Sequence, residues 1–237
     1  MKKTIYTLTI ILLSAVMLFS AWQLWRYFSD GWHSRNRFDE LTELIELPAE
    51  KSWTKYGALF KQNPDMVGWI TIEGTAINYP VMQTPERAEF YLRRNFEKQY
   101  SVHGVPFAAE SCSIKPQSDN ITIHGHNMKD GTMFSALGKY RSRAFYEAHS
   151  LIHFDTRVGF GVYEIIAIFS VNPEHFQYAH SVDTADEAEF SEYINRCKAL
   201  SFYDIEATAE YGDNLITLST CEAAGTNSRL VIVARKT

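Results

Sequence analysis

A cysteine at the end of a strand-like run is the first residue with a potential for covalent chemistry. Residues 217–221 read Thr-Leu-Ser-Thr-Cys, and the residues of a β-strand alternate between its two faces. Thr217, Ser219 and Cys221 therefore share one face, and small residues follow the thiol. We expect a substrate to reach a thiol in this position. A lone cysteine is more often structural than catalytic, so the residues around Cys221 decide between the two interpretations.

A nucleophilic thiol needs a base, because a thiol with an unperturbed pKa of about 8.5 is mostly protonated at neutral pH. The alternating segment 120–126 ends in His-Gly-His, which puts His124 and His126 at the end of a second predicted strand. The glycine between them lets the backbone turn sharply, so the residues alone leave both as candidates. The remaining histidines are interpreted as surface residues or satisfied core residues: His33, His103, His149, His153, His175 and His180.

A positive charge is predicted beside the thiol. Arg229 begins the next apolar run, and a hairpin of the two runs brings it close to Cys221. A guanidinium stays charged at any relevant pH, favours a neighbouring thiolate and can stabilise an oxyanion. The alternative is a surface arginine at the start of an edge strand. His124 and His126 have no third or fourth ligand at a suitable spacing, so we predict neither a metal nor a cofactor.

Two further cysteines lack such neighbours. Cys112 and Cys197 are interpreted as small buried hydrophobic residues. A disulfide between them stays open, because sequence does not give the required geometry. The three cysteines are an odd number, which leaves at least one free thiol in an exported protein.

The N-terminal segment indicates export. Residues 4–25 contain no charged residue, and a helix of about 20 apolar residues spans a bilayer. Lys2 and Lys3 favour a cytoplasmic N-terminus, although arginines beyond the segment weaken that asymmetry. We favour an uncleaved anchor over a cleaved signal peptide, because the apolar run is long and Ser20-Ala21-Trp22 is a poor cleavage site. Both interpretations put the body outside the cytoplasm. The formal net charge of −5 does not suggest nucleic acid as a partner.

The chain divides into three predicted parts: a cytoplasmic tip and transmembrane anchor over 1–27, a helical segment over 28–63, and a catalytic body over 64–237. Many short strands with few, irregularly spaced helices favour a mostly antiparallel barrel or sandwich over a βαβ array. Residues 184–200 carry apolar side chains at helical spacing and predict a helix inserted before the last two strands.

Four motifs stand out along the chain: Asn-Pro-Asp-Met-Val-Gly-Trp-Ile at 63–70, Ile-Asn-Tyr-Pro-Val-Met-Gln at 77–83, Gly-His-Asn-Met at 125–128, and the Thr-Leu-Ser-Thr-Cys run followed by Arg229-Leu-Val. With these motifs, from about residue 38 onward, the sequence resembles the class B sortases of Gram-positive bacteria. The resemblance implies a mostly β fold, a closed eight-stranded barrel with N-terminal helices. The helix near 184–200 matches the insertion that separates class B from class A.

The resemblance also implies an activity. Cys221 would attack a Thr–Gly-type or Thr–Asn-type bond in the C-terminal sorting signal of a secreted protein. His126, directly after the glycine, would be the acid/base, and His124 would not. Arg229 would hold the substrate and the developing oxyanion. An amine, typically of a peptidoglycan precursor, would resolve the thioacyl intermediate.

The expected surroundings of this chemistry follow from the same resemblance. Ser219, Thr220 and Glu222 are expected to bind the peptide. The partners would be secreted proteins with a sorting signal and an amine acceptor of the cell wall. The enzyme would sit in the cell membrane as a single-pass protein with an extracellular catalytic domain.

Two other functions remain as alternatives. A peptidoglycan L,D-transpeptidase also uses Cys, His and Arg, with an Ile-His-Gly run such as 123–125. Its cysteine normally follows a glycine and precedes the arginine by two residues, whereas here Thr220 precedes Cys221 and Arg229 is eight positions further on. The second alternative is a non-catalytic, membrane-tethered binding protein, in which Cys221 would react slowly with an alkylating reagent.

Overall fold

The centre of the molecule is a closed barrel of eight strands. The computed structural model describes residues 2–45, 53–180, 183–222 and 227–237. Around the barrel the order is β1-β2-β3-β4-β7-β8-β6-β5, and β5 pairs with β1 to close it. The strands are β1 Met66–Thr71, β2 Asn78–Met82, β3 Phe107–Ala108, β4 Asn120–His124, β5 Leu151–Thr156, β6 Val162–Val171, β7 Leu215–Cys221 and β8 Arg229–Lys236.

The barrel is mixed rather than fully antiparallel. β2 pairs with β3, and β4 with β7, in parallel, whereas the other neighbours are antiparallel. A parallel pair needs a long crossover, and between β4 and β7 the crossover holds β5, β6 and an inserted helix. The prediction of a closed eight-stranded barrel is confirmed, with these two parallel pairs as a refinement.

The helices lie at the N-terminus and in the crossover connections. Within the described residues the α-helices are α1 Lys2–Glu43, α2 Gly57–Gln62, α3 Arg143–Ala148 and α4 Glu187–Leu200, and 3-10 helices cover Trp53–Tyr56, Phe90–Arg93, Phe134–Arg141 and Tyr178–His180. α4 is the helix predicted before the catalytic strand. Its N-cap Asp186 accepts a hydrogen bond from the Glu189 amide at 3.0 Å, which satisfies a donor that the helix start leaves unpaired.

Because side chains alternate between the two faces of each strand, the buried residues form two hydrophobic cores. Ile216 and Leu218 of β7 point into the barrel, whereas Leu215 belongs to a second cluster beneath α4. Cys112 is buried in the first cluster and Cys197 in the second, and both thiols are free. The interpretation of these two cysteines as small buried hydrophobic residues agrees with the structure.

α1 is one continuous helix across the predicted boundary at residue 27. Its C-terminal part docks on the body, where Phe38 and Leu41 are buried. Its N-terminal part is long and apolar enough to cross a membrane, and none of its most apolar window is buried inside the protein. The helix is therefore compatible with a membrane anchor whose last turns pack on the barrel.

Candidate active site

Cys221 and Arg229 face each other at the turn end of the β7–β8 hairpin. The antiparallel register pairs them directly, and opposed residues project from the same face with Cβ atoms about 5 Å apart. The six residues before Cys221 in β7 are buried, whereas Cys221 is exposed. The hairpin thus brings the guanidinium to a thiol that solvent reaches, in the arrangement that the sequence predicts.

His126 approaches the same place from β4. In the parallel pairing of β4 with β7, His124 lies beside Ser219. His126 follows two residues later and lines a cavity of about 490 Å³, which Cys221 and Arg229 also line. Three separate stretches of chain therefore meet at one cleft. A larger groove of about 950 Å³ lies between α1 and residues 95–102, and none of the three residues lines it.

Gly125 permits this approach because it lacks a side chain. Its amide donates to the Ser219 carbonyl at 3.1 Å, which keeps the chain beside β7 up to His126. A Cβ at this position would lie 2.6 Å from the ring of Phe134. Gly125 is therefore needed for close packing under an aromatic ring. It is not needed for the sharp turn expected from the sequence.

A backbone carbonyl fixes the tautomer of His126. Nε2 lies 2.8 Å from the Leu92 carbonyl oxygen, and a carbonyl oxygen only accepts, so Nε2 carries the proton. Nδ1 then keeps its lone pair, and within the described part of the chain it has no hydrogen-bond partner. Nδ1 is the ring atom available to exchange a proton with a substrate or a thiol.

The surroundings also keep His126 neutral. Burial lowers the pKa of His126 below its usual 6.5, because a charged ring is poorly solvated there. The bond to Leu92 acts in the opposite direction, and the positive charges of Arg93 and His103 add to the lowering. At neutral pH the side chain is therefore a base.

His124 lines the cavity but is unsuited to proton exchange at neutral pH. The pKa of His124 is lowered to about 4, chiefly because burial disfavours the charged ring; Glu110 opposes the shift and Arg229 adds to it. The His124 ring packs 5.5 Å from that of Phe107, centroid to centroid. At neutral pH the His124 side chain is therefore an uncharged part of the cavity lining.

Arg229 has no carboxylate partner among the described residues. Its guanidinium makes one long contact, from Nη1 to the Ser228 carbonyl at 3.5 Å. A permanent charge without a counter-ion at the edge of a cavity is available to an anionic or polarised ligand.

Two of the three predicted peptide-binding residues line the cavity. The Ser219 hydroxyl lies 2.7 Å from that of Tyr178, which also lines the cavity. Burial raises the pKa of Tyr178, so its phenol stays protonated. Thr220 is 2% exposed, and its Oγ1 has no partner in the part of the chain that the structure describes. A buried hydroxyl without a partner costs stability unless a ligand or water binds it.

Glu222 lies outside the cavity lining. Its carboxylate forms an ion pair with Arg141 and accepts hydrogen bonds from Ser170 and Ser228. Residues 223–226, the small-residue loop expected after Cys221, lie outside the described residues. Glu222 therefore anchors the end of β7, and its contact with a bound peptide stays a prediction.

Asn127 is a residue of the site that sequence reasoning missed. Its side-chain nitrogen donates to the carbonyl oxygens of Cys221 and Glu222 at 3.0 and 3.2 Å. The segment that carries His126 is thereby tied to the segment that carries the thiol. Its position directly after His126 was the one available signal. The Leu92 carbonyl had none, because a backbone acceptor leaves no mark in the sequence.

A thiol, a neutral imidazole and an unpaired guanidinium in one cleft define a class of chemistry. The thiol attacks a carbonyl, the imidazole moves the proton, and the cation stabilises the oxyanion. Fold and site together define a β-barrel enzyme that transfers acyl groups through a cysteine.

Comparisons with known proteins agree with this class. A family model described as the sortase domain matches residues 70–237. Sortase B of Listeria monocytogenes is 30% identical over 222 residues, which cover 91% of this chain and 89% of that protein. The Staphylococcus aureus sortase B–substrate complex superposes with a TM-score of 0.80 at 27% identity, over 88% of this chain and 96% of that one. A sortase B complexed with triglycine gives 0.79 at 26% identity, over 88% and 97%.

The chain belongs to the sortase family and is a class B sortase, a cysteine transpeptidase.

Proposed function

We propose that this enzyme, anchored in the membrane by α1, cleaves the C-terminal sorting signal of secreted proteins and joins them to an amine of the cell wall. One observation carries the proposal: Cys221, His126 and Arg229 line a single cavity. It is supported by two similar structures, one described as a substrate complex and one as a complex with triglycine. A peptide chain and a short glycine amine are the two reactants that such a transfer needs.

The first half-reaction forms a thioester. Cys221 Sγ attacks the carbonyl carbon of the scissile Thr–Gly-type or Thr–Asn-type bond while His126 Nδ1 takes the thiol proton. Arg229 stabilises the tetrahedral oxyanion. The carbon–nitrogen bond then breaks, and the imidazolium gives its proton to the leaving amine. The neutral resting state of His126 supports this order, because only a neutral ring can accept the first proton.

The second half-reaction releases the product. An incoming amine attacks the thioester carbonyl, and His126 takes a proton from its nitrogen. The carbon–sulfur bond breaks, and the proton returns to the departing sulfur. Ser219 and Thr220 line the cavity and would contact the peptide.

A peptide-library experiment tests this function. The full-length chain in detergent is incubated with fluorogenic peptides containing Thr–Gly or Thr–Asn bonds, with and without triglycine, and products are read by mass. We expect cleavage at the threonine and a triglycine adduct. Cys221→Ala should lose at least about 10³-fold in kcat. Full activity in that variant would end the proposal. Slow alkylation of Cys221 in the parent would favour the non-catalytic binding protein.

A further inference from the structure

A histidine between two carboxylates connects the membrane-proximal helix to the loop that carries His126. His103 is fully buried, with 0% of its surface exposed. Its Nδ1 lies 2.9 Å from Oδ2 of Asp30 on α1, and its Nε2 lies 3.0 Å from Oδ2 of Asp130. Each ring nitrogen of His103 therefore lies within hydrogen-bond distance of a carboxylate oxygen. We call Asp30, His103 and Asp130 the carboxylate–histidine bridge.

The helix end of the bridge is built for a close fit. Oδ2 of Asp30 also accepts from the Ser101 hydroxyl at 3.0 Å and the Val102 amide at 2.9 Å. A Cβ at Gly31 would come within 2.6 Å of Asp130 Oδ2 and 3.0 Å of His103 Nε2. α1 can therefore approach this closely only with a glycine at that position.

The loop end of the bridge is equally well fixed. Oδ1 of Asp130 accepts from the Thr132 amide and hydroxyl at 3.1 and 2.6 Å, and Arg35 of α1 contacts its carboxylate at 3.8 Å. In the same loop the Phe134 amide donates to the His126 carbonyl at 2.9 Å. The loop between His126 and Phe134 is thus held at one end by α1 and at the other by the catalytic cleft.

The hydrogen bonds of the bridge surround a fully buried ring. A buried polar group is costly unless it is hydrogen-bonded, and removing one partner leaves the other unsatisfied. Removing the Asp30 carboxylate therefore leaves His103 with one partner and frees the loop to shift relative to β7. A displacement of about 1 Å at a catalytic group is enough to cost about 10²-fold in rate.

We propose that Asp30 and His103 are positioning residues for transpeptidation, and that the helix leading out of the membrane holds the His126 loop in its productive place. The inference rests on the proposed function. The bridge does not touch the substrate, so its loss acts on turnover rather than on peptide binding. The anchor helix is in this way part of the catalytic architecture as well as a tether.

The test compares Asp30→Asn with Asp39→Asn in the full-length chain in detergent. Both carboxylates lie on α1, but Asp39 is exposed and outside the bridge. We expect Asp30→Asn to lower kcat at least 5-fold with KM within 2-fold, and Asp39→Asn to match the parent. Asp30→Glu, which keeps the charge, should recover part of the lost kcat. Thermal unfolding confirms that each variant is folded at the assay temperature.

Three results would overturn the proposal: a parental kcat in Asp30→Asn, an equal loss in Asp39→Asn, or a change confined to KM. If Asp30→Asn does not fold, the same measurements are made on Ser101→Ala, which removes one donor to Asp30. There a 2- to 3-fold loss of kcat supports the bridge, and an unchanged kcat rejects it. A parent that cleaves no peptide contradicts the proposed function, whereas an active parent with an equally active Asp30→Asn contradicts only the bridge.

Discussion

Two histidines line the catalytic cavity, and their surroundings give them different capacities. His126 has a fixed tautomer with a free Nδ1, whereas His124 is packed on Phe107 and its pKa is lowered to about 4. We predict that His126→Ala loses at least about 10³-fold in kcat/KM, while His124→Ala stays within a few-fold of the parent. Peptide cleavage by the two purified variants measures this. The reverse pattern would make His124 the acid/base.

The lowered pKa of His126 sets the acid limb of the pH profile. Acylation needs the neutral ring, so kcat/KM should fall as the pH drops through the folded pKa, which lies below 6.5. Initial rates across the acidic and neutral pH range at constant ionic strength test this. A limb centred above 6.5 would mean that burial does not dominate at His126.

At the residue scale, the positions of the candidate catalytic groups could be predicted from the sequence better than the groups that orient them. Strand alternation and the hairpin put Cys221 opposite Arg229, because period and register are local properties. The Leu92 carbonyl that orients His126 belongs to the backbone, so no residue type signals it. The pairing of the Glu222 carboxylate with Arg141 could not be predicted either, because a partner so distant in the chain is fixed only by the tertiary fold.

At the element scale, Asn127 is the clamp between the loop after β4 and the end of β7. Its two hydrogen bonds reach the carbonyls of Cys221 and Glu222, and each such bond contributes about 1 kcal/mol. We predict that Asn127→Ala lowers kcat about 10-fold with little change in KM, because the thiol and the imidazole lose their fixed separation. Steady-state kinetics of the variant measure the effect.

Asn195, exposed on α4, provides the matched control. Asn195→Ala should retain the parental kcat and KM. Asn127→Asp should be as impaired as Asn127→Ala, since a carboxylate cannot donate to the two carbonyls. An Asn127→Ala enzyme with full kcat would show that β4 and β7 hold the cleft without the clamp.

The elements themselves were only partly predictable. The existence of β4, β7, β8 and α4 followed from period and composition, because each strand or helix buries one apolar face. The parallel pairing of β4 with β7 did not, since alternation identifies faces and not partners. That pairing places His124 beside Ser219, so that His126 lies near the end of β7 that carries the thiol. The part of the fold that matters most for catalysis was the least visible in the sequence.

At the scale of the whole molecule, α1 is longer than a membrane span requires. It has 42 residues, about 63 Å at 1.5 Å per residue, whereas the bilayer core is about 30 Å thick. If α1 is the proposed anchor, roughly half of the helix lies outside the lipid, and this half carries Asp30, Phe38 and Leu41 to the barrel. The proposed span would then continue to the barrel as one helix without a flexible linker.

This geometry predicts that the chain stays in the membrane uncleaved. Large apolar side chains from Ile5 to Trp25 are between 47% and 73% exposed, and burying each in lipid contributes about 1.5–3 kcal/mol. We expect the expressed protein to remain in the membrane fraction through salt and carbonate washes, to be released by detergent, and to have an intact mass that includes residues 2–25. Deletion of those residues should release an otherwise folded body. A mature mass beginning near Trp22 would identify the segment as a cleaved signal peptide.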